Sequence, residues 1–463
     1  MGWIVAVLSL FISTAALAQP ALPATPSGKV LAELLDALNS GDPAKVEAFD
    51  RTYRPRDPIA GMGALREQTG GFELMKVERS DATTLVAILR EKAGDRFARL
   101  ELALSADAEP GLVRFQLDPI MPPAGLGARR LPLADALAAL VKRQDEAAAS
   151  DKFSGAVLVA KNGKVVLEQA WGLADRERKL PVTVDTKFRI GSMNKMFTAV
   201  AALQLVEAGK LGLDAPIGTY LPDYPNKDIA EKVTVRHLLT HTGGTGDVFG
   251  PEFDRNRLKL QTIDDYMALY NKRAPLFAPG TGQSYSNYGF ILLGALIEKA
   301  SGMSYDDYVR KNVFEAAGMA STGSLPESEM VSGRSVGYIN QGGKLVPNTG
   351  TLPWRGTPAG GGYSTVGDLW RFAEALQSGK LISKTMLDQA TSTQFQMFGL
   401  GFAVVGEGNW KGFGHNGGAP GMSGDLHVFP RLGYVLVSLS NLDPPASTRP
   451  LEFIEARLPE EAR

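Results

Sequence analysis

Three short motifs along the chain combine residue types that carry out acyl-transfer chemistry. The first is S-M-N-K at residues 192–195, which leads into the apolar stretch Phe197–Leu205. We expect a helix to begin here, and because residues at i and i+3 lie on one face of a helix, the Ser192 hydroxyl and the Lys195 amine can meet. A serine hydroxyl becomes a good nucleophile only when a base removes its proton. Lysine is such a base only when burial or nearby positive charge lowers its pKa, so the spacing predicts a nucleophile and a base that needs a special environment.

The second motif is Y-S-N at residues 285–287, which precedes an apolar helix predicted from Ile291 to Ala300. Side chains two residues apart on an extended loop point to one side, so Tyr285 and Asn287 are expected to face the same way. A phenol can relay a proton, and a carboxamide can hold a substrate carbonyl group. This pair therefore supplies a candidate proton carrier and a candidate substrate-binding group.

The third motif is H-N-G-G at residues 415–418, at the start of a strand-rich C-terminal part. Small residues in a strand let another backbone approach closely, so Gly417 and Gly418 are expected to admit a substrate beside the strand edge. We include His415 and Asn416 among the candidate substrate-binding residues.

The segments around these motifs predict the framework that must position them. An amphipathic helix is expected at Leu133–Ala149, and a hairpin follows in which Asn162-Gly163 separates two apolar runs, the strongest short signal for a tight hairpin turn. The middle of the chain is helix-rich, and strands return near the end. We therefore predict an α+β sandwich, in which an antiparallel sheet built from both chain ends is flanked by helices and carries a helical subdomain. The predicted C-terminal elements are strands at Gly401–Val405, Gly424–Phe429 and Tyr434–Leu439 and a closing helix at Leu451–Leu458.

The N-terminal part predicts a separate, smaller α+β domain at residues 28–122. Apolar residues recur at helical spacing over Val30–Leu38, and four alternating segments then indicate an antiparallel meander. Helices followed by such a meander resemble a cystatin-like roll. Prolines and glycines at residues 119–127 mark a linker at residues 123–132, which leaves residues 133–460 for the larger domain. The four predicted strands are Phe72–Glu78, Thr84–Glu91, Phe97–Ala103 and Val113–Leu117.

Length and composition indicate a globular protein with two domains, and the N-terminal segment predicts export. The chain has 463 residues, a formal net charge of −1 and no cysteine. The balanced charge gives no reason to expect nucleic acid as a partner, and the missing cysteines exclude disulfides and thiolate metal sites. The first 18 residues form a short apolar run that ends in A-L-A, which is typical of a cleaved signal peptide, although no basic residue precedes the run. We therefore expect a periplasmic or secreted protein without an integral membrane segment in the mature chain; an uncleaved anchor helix is the alternative.

Taken together, the three motifs resemble the serine β-lactamase and penicillin-binding-protein superfamily. The most similar branch contains class C β-lactamases, D-alanyl-D-alanine carboxypeptidases and family VIII esterases. The resemblance implies that Ser192 is acylated, that Lys195 and Tyr285 handle its proton, and that Asn287 orients the acyl carbonyl or amide. It also implies an oxyanion hole formed by the N–H groups of Ser192 and Gly418. Further matching segments are residues 233–244, 358–365 with Asp368, 429–430 and 433–441.

The third motif departs from the K-T-G that penicillin-binding relatives usually carry. Histidine has an unperturbed pKa of about 6.5 and is mostly neutral at pH 7, so His415 offers no fixed charge to a substrate carboxylate. Asn416 also replaces the usual hydroxyl residue. An ester or an amide without that carboxylate therefore becomes the favoured small-molecule or peptide substrate. The alternatives are a β-lactamase or D,D-carboxypeptidase, and a non-catalytic module that binds cell-wall peptides.

No cofactor or metal is expected. His237 and His241 have the i, i+4 spacing of a metal pair, but no glutamate lies between them as in H-E-x-x-H and no third ligand is evident. We interpret both as structural residues, and His427 as a packed histidine on a strand. Phe249 and Trp354 are candidates for the walls of the cleft.

Overall fold

The computed structural model describes residues 20–54, 61–106 and 111–461. The chain divides into two compact units between Arg129 and Arg130. The predicted signal peptide lies outside the described residues. The predicted domain limits, 28–122 and 133–460 with a linker at 123–132, stay predictions.

The first unit packs helices against one antiparallel sheet with the order β1-β2-β3-β4. Its first helix begins where the Thr25 hydroxyl accepts a hydrogen bond from the Gly28 N–H, and it ends at Gly41, whose φ of +71° suits glycine. Leu31 and Leu34 of this helix are buried together with Leu85 and Leu100 of the sheet. The cystatin-like resemblance of this unit stays a prediction. The elements are α1 (Pro26–Ser40), α2 (Pro43–Tyr53), α3 (Met62–Thr69), β1 (Phe72–Ser80), β2 (Thr84–Glu91), β3 (Phe97–Leu104) and β4 (Leu112–Ile120).

The second unit contains the remaining helices and strands. Its helices are α4 (Leu133–Ala149), α5 (Asn194–Glu207), α6 (Lys227–Lys232), α7 (Val235–Leu239), α8 (Pro251–Asn256), α9 (Ile263–Tyr270), α10 (Asn287–Ser301), α11 (Tyr305–Val309), α12 (Val366–Gln377), α13 (Lys384–Ala390) and α14 (Thr448–Glu455). Its strands are β5 (Gly155–Lys161), β6 (Lys164–Trp171), β7 (Leu173–Asp175), β8 (Leu180–Pro181), β9 (Phe188–Arg189), β10 (Tyr338–Gln341), β11 (Lys344–Pro347), β12 (Tyr363–Ser364), β13 (Ala403–Val405), β14 (Gly412–Ala419), β15 (Met422–Phe429) and β16 (Tyr434–Ser440).

The largest sheet of this unit joins strands from both of its ends. The order is β13-β14-β15-β16-β5-β6, and every neighbouring pair is antiparallel. At the β5–β6 turn, Asn162 and Gly163 both have positive φ, +52° and +73°, as a tight hairpin turn of this type requires. The predicted fold class, an antiparallel sheet flanked by helices, is confirmed.

Both faces of this sheet are covered, which explains the continuous apolar run in β5. Ala156 and Leu158 belong to a core shared with α5, α10 and α12, whereas Val157 and Val159 belong to a second core shared with α4 and α14. Successive side chains of a strand point to opposite faces, so both sets of β5 side chains find apolar partners. Among the described residues, no helix combines the length and the apolar character that crossing a membrane requires.

Candidate active site

Ser192 lies on a short 3-10 turn, Gly191–Met193, that runs directly into α5. Gly191 has φ +52°, and a Cβ atom there would lie 3.0 Å from the main-chain nitrogen of Gly418. Glycine is therefore required by both the backbone conformation and the close approach of β14. This approach places the main chain of Ser192 beside that of Gly418.

Lys195 lies in the first turn of α5, one turn after Ser192, and its side chain has no exposed surface. Its Nζ atom lies 3.2 Å from Ser192 Oγ and donates to Asn287 Oδ1 at 2.7 Å. It also donates to the carbonyl oxygen of Ala359. A neutral amine has two N–H groups and one lone pair. Because the carbonyl and amide oxygens only accept, they take the two N–H groups, and the lone pair remains for the Ser192 hydroxyl proton.

Burial lowers the pKa of Lys195 to about 7, while the negative charge of Asp247 acts in the opposite direction. The cause is the loss of hydration, which disfavours the charged ammonium. A substantial fraction of this amine is therefore neutral near pH 7, as a general base must be.

Tyr285 and Asn287 lie on either side of Ser286, which caps the N-terminus of α10. The Ser286 hydroxyl accepts from the Gly289 N–H at 2.8 Å and contacts the Thr245 hydroxyl at 2.8 Å. Asn287 is the first residue of the helix rather than part of an extended loop, but Tyr285 and Asn287 nevertheless both reach Lys195.

The Tyr285 ring is held between a histidine and the lysine. It stacks on His241 with ring centroids 4.4 Å apart, and Lys195 Nζ lies 4.7 Å from its centroid. Desolvation raises the pKa of the Tyr285 phenol well above its ordinary value, while a hydrogen bond with Ser192 lowers it. The phenol therefore keeps its proton at neutral pH and is able to donate it.

The third motif lies on β14, and its side chains divide between the two faces of the strand. A Cβ atom on Gly417 would collide with the Ile190 carbonyl oxygen, so glycine is required there. His415 is only 4% exposed. Asn416 is exposed, and as the intervening residue it points to the opposite face of the strand from His415 and Gly417. The structure thus brings His415 and Gly417 to the side of Ser192 and does not bring the Asn416 side chain there.

His415 is a buried neutral base behind the tyrosine. Its ring centroid lies 6.4 Å from that of Tyr285 and 6.5 Å from that of Phe398. Burial, and next the charge of Lys195, lower the pKa of His415 to about 4. At neutral pH this side chain therefore carries no positive charge.

A cleft of about 350 Å³ opens next to Ser192 and Gly418. Its walls are largely apolar. Among the described residues that line it there is no lysine or arginine, and Asp254 is the one charged side chain. Phe249, predicted as a possible wall, lines it and is 62% exposed, whereas Trp354 is not among its lining residues. The other apolar lining residues include Val248, Phe253, Leu352, Pro353 and Met422.

Three contributors to the site were not identified from the sequence. His241, interpreted as structural, supports the Tyr285 ring. Its place directly before Thr242-Gly243-Gly244 was the local signal in the sequence, and its φ of +59° is seen only in the structure. The Ala359 carbonyl oxygen holds Lys195, and Asp247 holds Asn287. A main-chain acceptor leaves no trace in residue type, and a loop aspartate has no periodicity, so neither could be found without the fold.

His237, by contrast, has an ordinary structural position. It completes the cap of α7, where Thr234 accepts from the His237 N–H at 3.2 Å and the imidazole accepts from the Thr234 N–H at 3.3 Å. Within the described part of the chain, no group of three or more metal-ligating side chains could hold a metal ion.

Comparison with known proteins defines the family. The family model described as Beta-lactamase matches residues 137–459. The chain therefore belongs to the β-lactamase family, and it is a serine hydrolase of the β-lactamase-related type. This confirms the predicted membership in the superfamily of serine β-lactamases and penicillin-binding proteins.

Individual relatives match different shares of the chain. Penicillin-binding protein 4* of Bacillus subtilis (strain 168) is 31% identical over 313 residues, which are 63% of this chain and 68% of the relative. Esterase EstB of Burkholderia gladioli is 38% identical over 193 residues, 39% of this chain and 49% of the esterase. Among solved structures, a penicillin-binding protein from Bacillus halodurans has a TM-score of 0.61 at 29% identity and covers 67% of this chain and 98% of its own.

Proposed function

We propose that this protein hydrolyses esters or amides with an apolar acyl group, through an acyl-enzyme formed on Ser192. The observation that carries the proposal is the Lys195 amine, which is fully buried, 3.2 Å from Ser192 Oγ and satisfied by two neutral oxygen acceptors. A buried lysine without a carboxylate in contact is costly for stability. Its position beside the nucleophile Ser192 supports a catalytic role for this buried amine.

In acylation, neutral Lys195 accepts the Ser192 hydroxyl proton while Oγ attacks the substrate carbonyl carbon. The N–H groups of Ser192 and Gly418 stabilise the resulting oxyanion, and Asn287 orients the acyl group. The tetrahedral intermediate collapses, the bond to the alcohol or amine breaks, and the leaving group receives the proton through the Tyr285 hydroxyl. Lys195 and Tyr285 then return to their starting protonation states.

In deacylation, water attacks the acyl-enzyme carbonyl carbon and gives a proton to the same Lys195 and Tyr285 pair. The second tetrahedral intermediate forms in the same oxyanion hole. Its collapse breaks the bond to Oγ, returns the proton to Ser192 and releases the carboxylic acid.

The walls of the cleft support an uncharged acyl group. No cationic side chain lines the cleft within the described residues, and the low pKa of His415 leaves it neutral. A substrate carboxylate would lose hydration without gaining an ionic partner. Gly417 and Gly418 serve as close-approach positions beside the substrate, and Asn416 is proposed to contact only its outer part.

The test is steady-state hydrolysis of p-nitrophenyl butyrate and nitrocefin by the mature protein and Ser192→Ala. We expect serine-dependent turnover of the ester and little turnover of nitrocefin. Comparable or better serine-dependent nitrocefin turnover would assign the protein to the β-lactamases instead. Absence of turnover and of labelling by a fluorophosphonate probe would support a non-catalytic binding module.

We also propose that the protein is exported to the periplasm or secreted, with cleavage after residue 18, and that residues 133–460 form the catalytic domain. The A-L-A sequence before Gln19 supports this processing. The intact mass of the protein from cell fractions would reveal it. A mass that retains residues 1–18 in a membrane fraction would favour the uncleaved anchor.

A further inference from the structure

A carboxylate next to Asn287 determines which atom of its amide faces the lysine. Both carboxylate oxygens of Asp247 lie 3.0 Å from Asn287 Nδ2. Asp247 Oδ1 also accepts the N–H groups of Val248 at 2.6 Å and Phe249 at 3.2 Å. The carboxylate is therefore fixed by its own loop before it meets Asn287.

An ionised carboxylate only accepts hydrogen bonds, whereas a carboxamide has a donating and an accepting end. With Asp247 in place, the donating end of Asn287 must face the carboxylate. The accepting end must then face Lys195, as the 2.7 Å contact between Lys195 Nζ and Asn287 Oδ1 requires. Without Asp247, no other contact of Asn287 that the structure describes would prevent the amide from rotating by half a turn.

The orientation matters because it decides where the lone pair of the lysine points. In the observed orientation, Asn287 Oδ1 and the Ala359 carbonyl oxygen occupy the two N–H groups of neutral Lys195, and the lone pair remains for Ser192. A rotated Asn287 would present its own N–H to the nitrogen and engage that lone pair. The base would then be present but blocked.

We infer that Asp247 is a positioning residue, which holds the Asn287 amide with its oxygen toward Lys195 and so keeps the amine free to accept the Ser192 proton. This inference rests on the proposed function, because it assigns Lys195 the part of a base. It extends that proposal by one residue, which contacts neither Ser192 nor Lys195 by a hydrogen bond.

The best variant is Asp247→Asn, which has the same shape. Its side-chain oxygen still accepts from Val248 and Phe249, so the loop turn is preserved, but its amide nitrogen permits the rotated state of Asn287. We expect kcat/KM for p-nitrophenyl butyrate to fall about 10-fold to 100-fold, the range for losing one charge-assisted hydrogen bond. Asp247→Ser is a second variant, since its hydroxyl accepts from the turn but is too short to reach Asn287, and the same loss is expected.

The pH profile separates the loss of the Asp247 charge from the loss of the Asn287 orientation. The titratable groups around Lys195 are Asp247, His241, His415 and Tyr285, and the two histidines have lowered pKa values. Loss of the Asp247 charge removes the interaction that raises the pKa of Lys195. The acid limb of kcat/KM should therefore move to lower pH in Asp247→Asn for this electrostatic reason alone. The expected fall in kcat/KM should persist on the alkaline plateau, where Lys195 is neutral in both proteins.

A double-mutant cycle tests whether Asp247 acts through Asn287. In the Asn287→Ala background, Asp247→Asn should cost less than about 3-fold, because the amide that it orients is gone. Glu252→Gln is the matched control: it removes a carboxylate five residues away that pairs with Arg273 at 2.9 Å and does not contact Asn287, so kcat/KM should stay near the wild-type value.

Additive costs in the cycle, or an Asp247→Asn variant with the wild-type kcat/KM on the alkaline plateau, would overturn the inference. The proposed function fails separately, if Ser192→Ala retains full turnover of the ester. Serine-dependent turnover combined with additive costs would leave the function standing and remove Asp247 from it.

Discussion

The two faces of the six-stranded sheet pack against basic side chains, Lys195 on one and His427 on the other, whose titration behaviour is opposite. On one side Lys195 is surrounded by neutral oxygen acceptors, and its pKa is lowered to about 7. On the other side His427 of β15 pairs with Asp425 at 3.1 Å and with Glu455 of α14. Burial disfavours the charged form of His427 as well, but Glu455 and then Asp425 outweigh burial and raise its pKa well above the ordinary value.

The difference shows that contact partners rather than depth determine which buried base stays charged. Carbonyl and amide oxygens stabilise N–H groups without supplying a full negative charge, so the cost of desolvation dominates at Lys195. Two carboxylates supply that charge at His427, which then joins β15 to α14 as an ion-paired link. One site thus yields a base, and the other yields a structural connection.

The largest expected effect comes from Lys195→Met, which keeps the length of the side chain and removes the base. Ester turnover should fall by at least about 10²-fold, the low end for loss of a proton-transfer group. The variant should also be more stable than the wild type, and more so at pH 6 than at pH 10, because burying the ammonium is costly only where it is protonated. Urea unfolding and steady-state kinetics measure the two effects. Unchanged ester turnover in Lys195→Met would show that Lys195 is not the base.

His427→Gln should lower the stability of the protein and leave its ester turnover unchanged. It leaves the buried Asp425 and the partly buried Glu455 without their cation, so the free energy of unfolding should fall by about 2 kcal/mol, between the values for an exposed and a buried ion pair. Turnover at a temperature where the variant is folded should stay close to the wild-type value. Glu455→Gln in the same chain should restore part of the lost stability. An equally large loss of activity at full folding would show that the two faces are not independent.

The pH dependence of activity and that of the His427 contribution to stability should run in opposite directions. Because Lys195 must be neutral, kcat/KM should decline about tenfold per pH unit below its pKa of about 7. The folded-state pKa of His427 is raised, so its stabilising contribution is complete below its unfolded pKa of about 6.5 and is lost as pH rises through the folded value. The difference in unfolding free energy between wild type and His427→Gln should therefore shrink from pH 6 to pH 10. A constant difference would contradict the charged state of His427.

The smallest expected effect concerns substrate preference. His415→Lys introduces a cation at the third motif, and the ratio of nitrocefin to p-nitrophenyl butyrate turnover should rise about 3-fold, in the range of a partly exposed ion pair. The acid limb should also move to lower pH, since a second cation near Lys195 disfavours its protonation. His415→Gln, which is neutral like His415 itself, serves as the control. An identical ratio in the wild type, His415→Lys and His415→Gln would show that residue 415 does not determine substrate preference.

Much of the framework could be predicted because the determining interactions are local. The helix expected at Leu133–Ala149 has those bounds in α4, and the Asn162-Gly163 turn lies where the dipeptide placed it. The closing helix begins earlier than expected, at Thr448 instead of Leu451. Pro450 lies in the first turn of α14, where a helix does not need its N–H group.

The sequence alone determined the order and chemistry of the three motifs, since the S-x-x-K spacing follows from one helical turn and the strand and turn signals lie within a few residues. Tertiary structure decided what those groups become. The neutrality of Lys195 depends on burial, and the direction of its lone pair depends in part on the Ala359 carbonyl oxygen, 164 positions away. The orientation of Asn287 depends on Asp247, 40 positions earlier, and the charge of His427 depends on Glu455, 28 positions later. A pKa and a hydrogen-bond direction are properties of an environment, and that environment is assembled only when distant segments pack together.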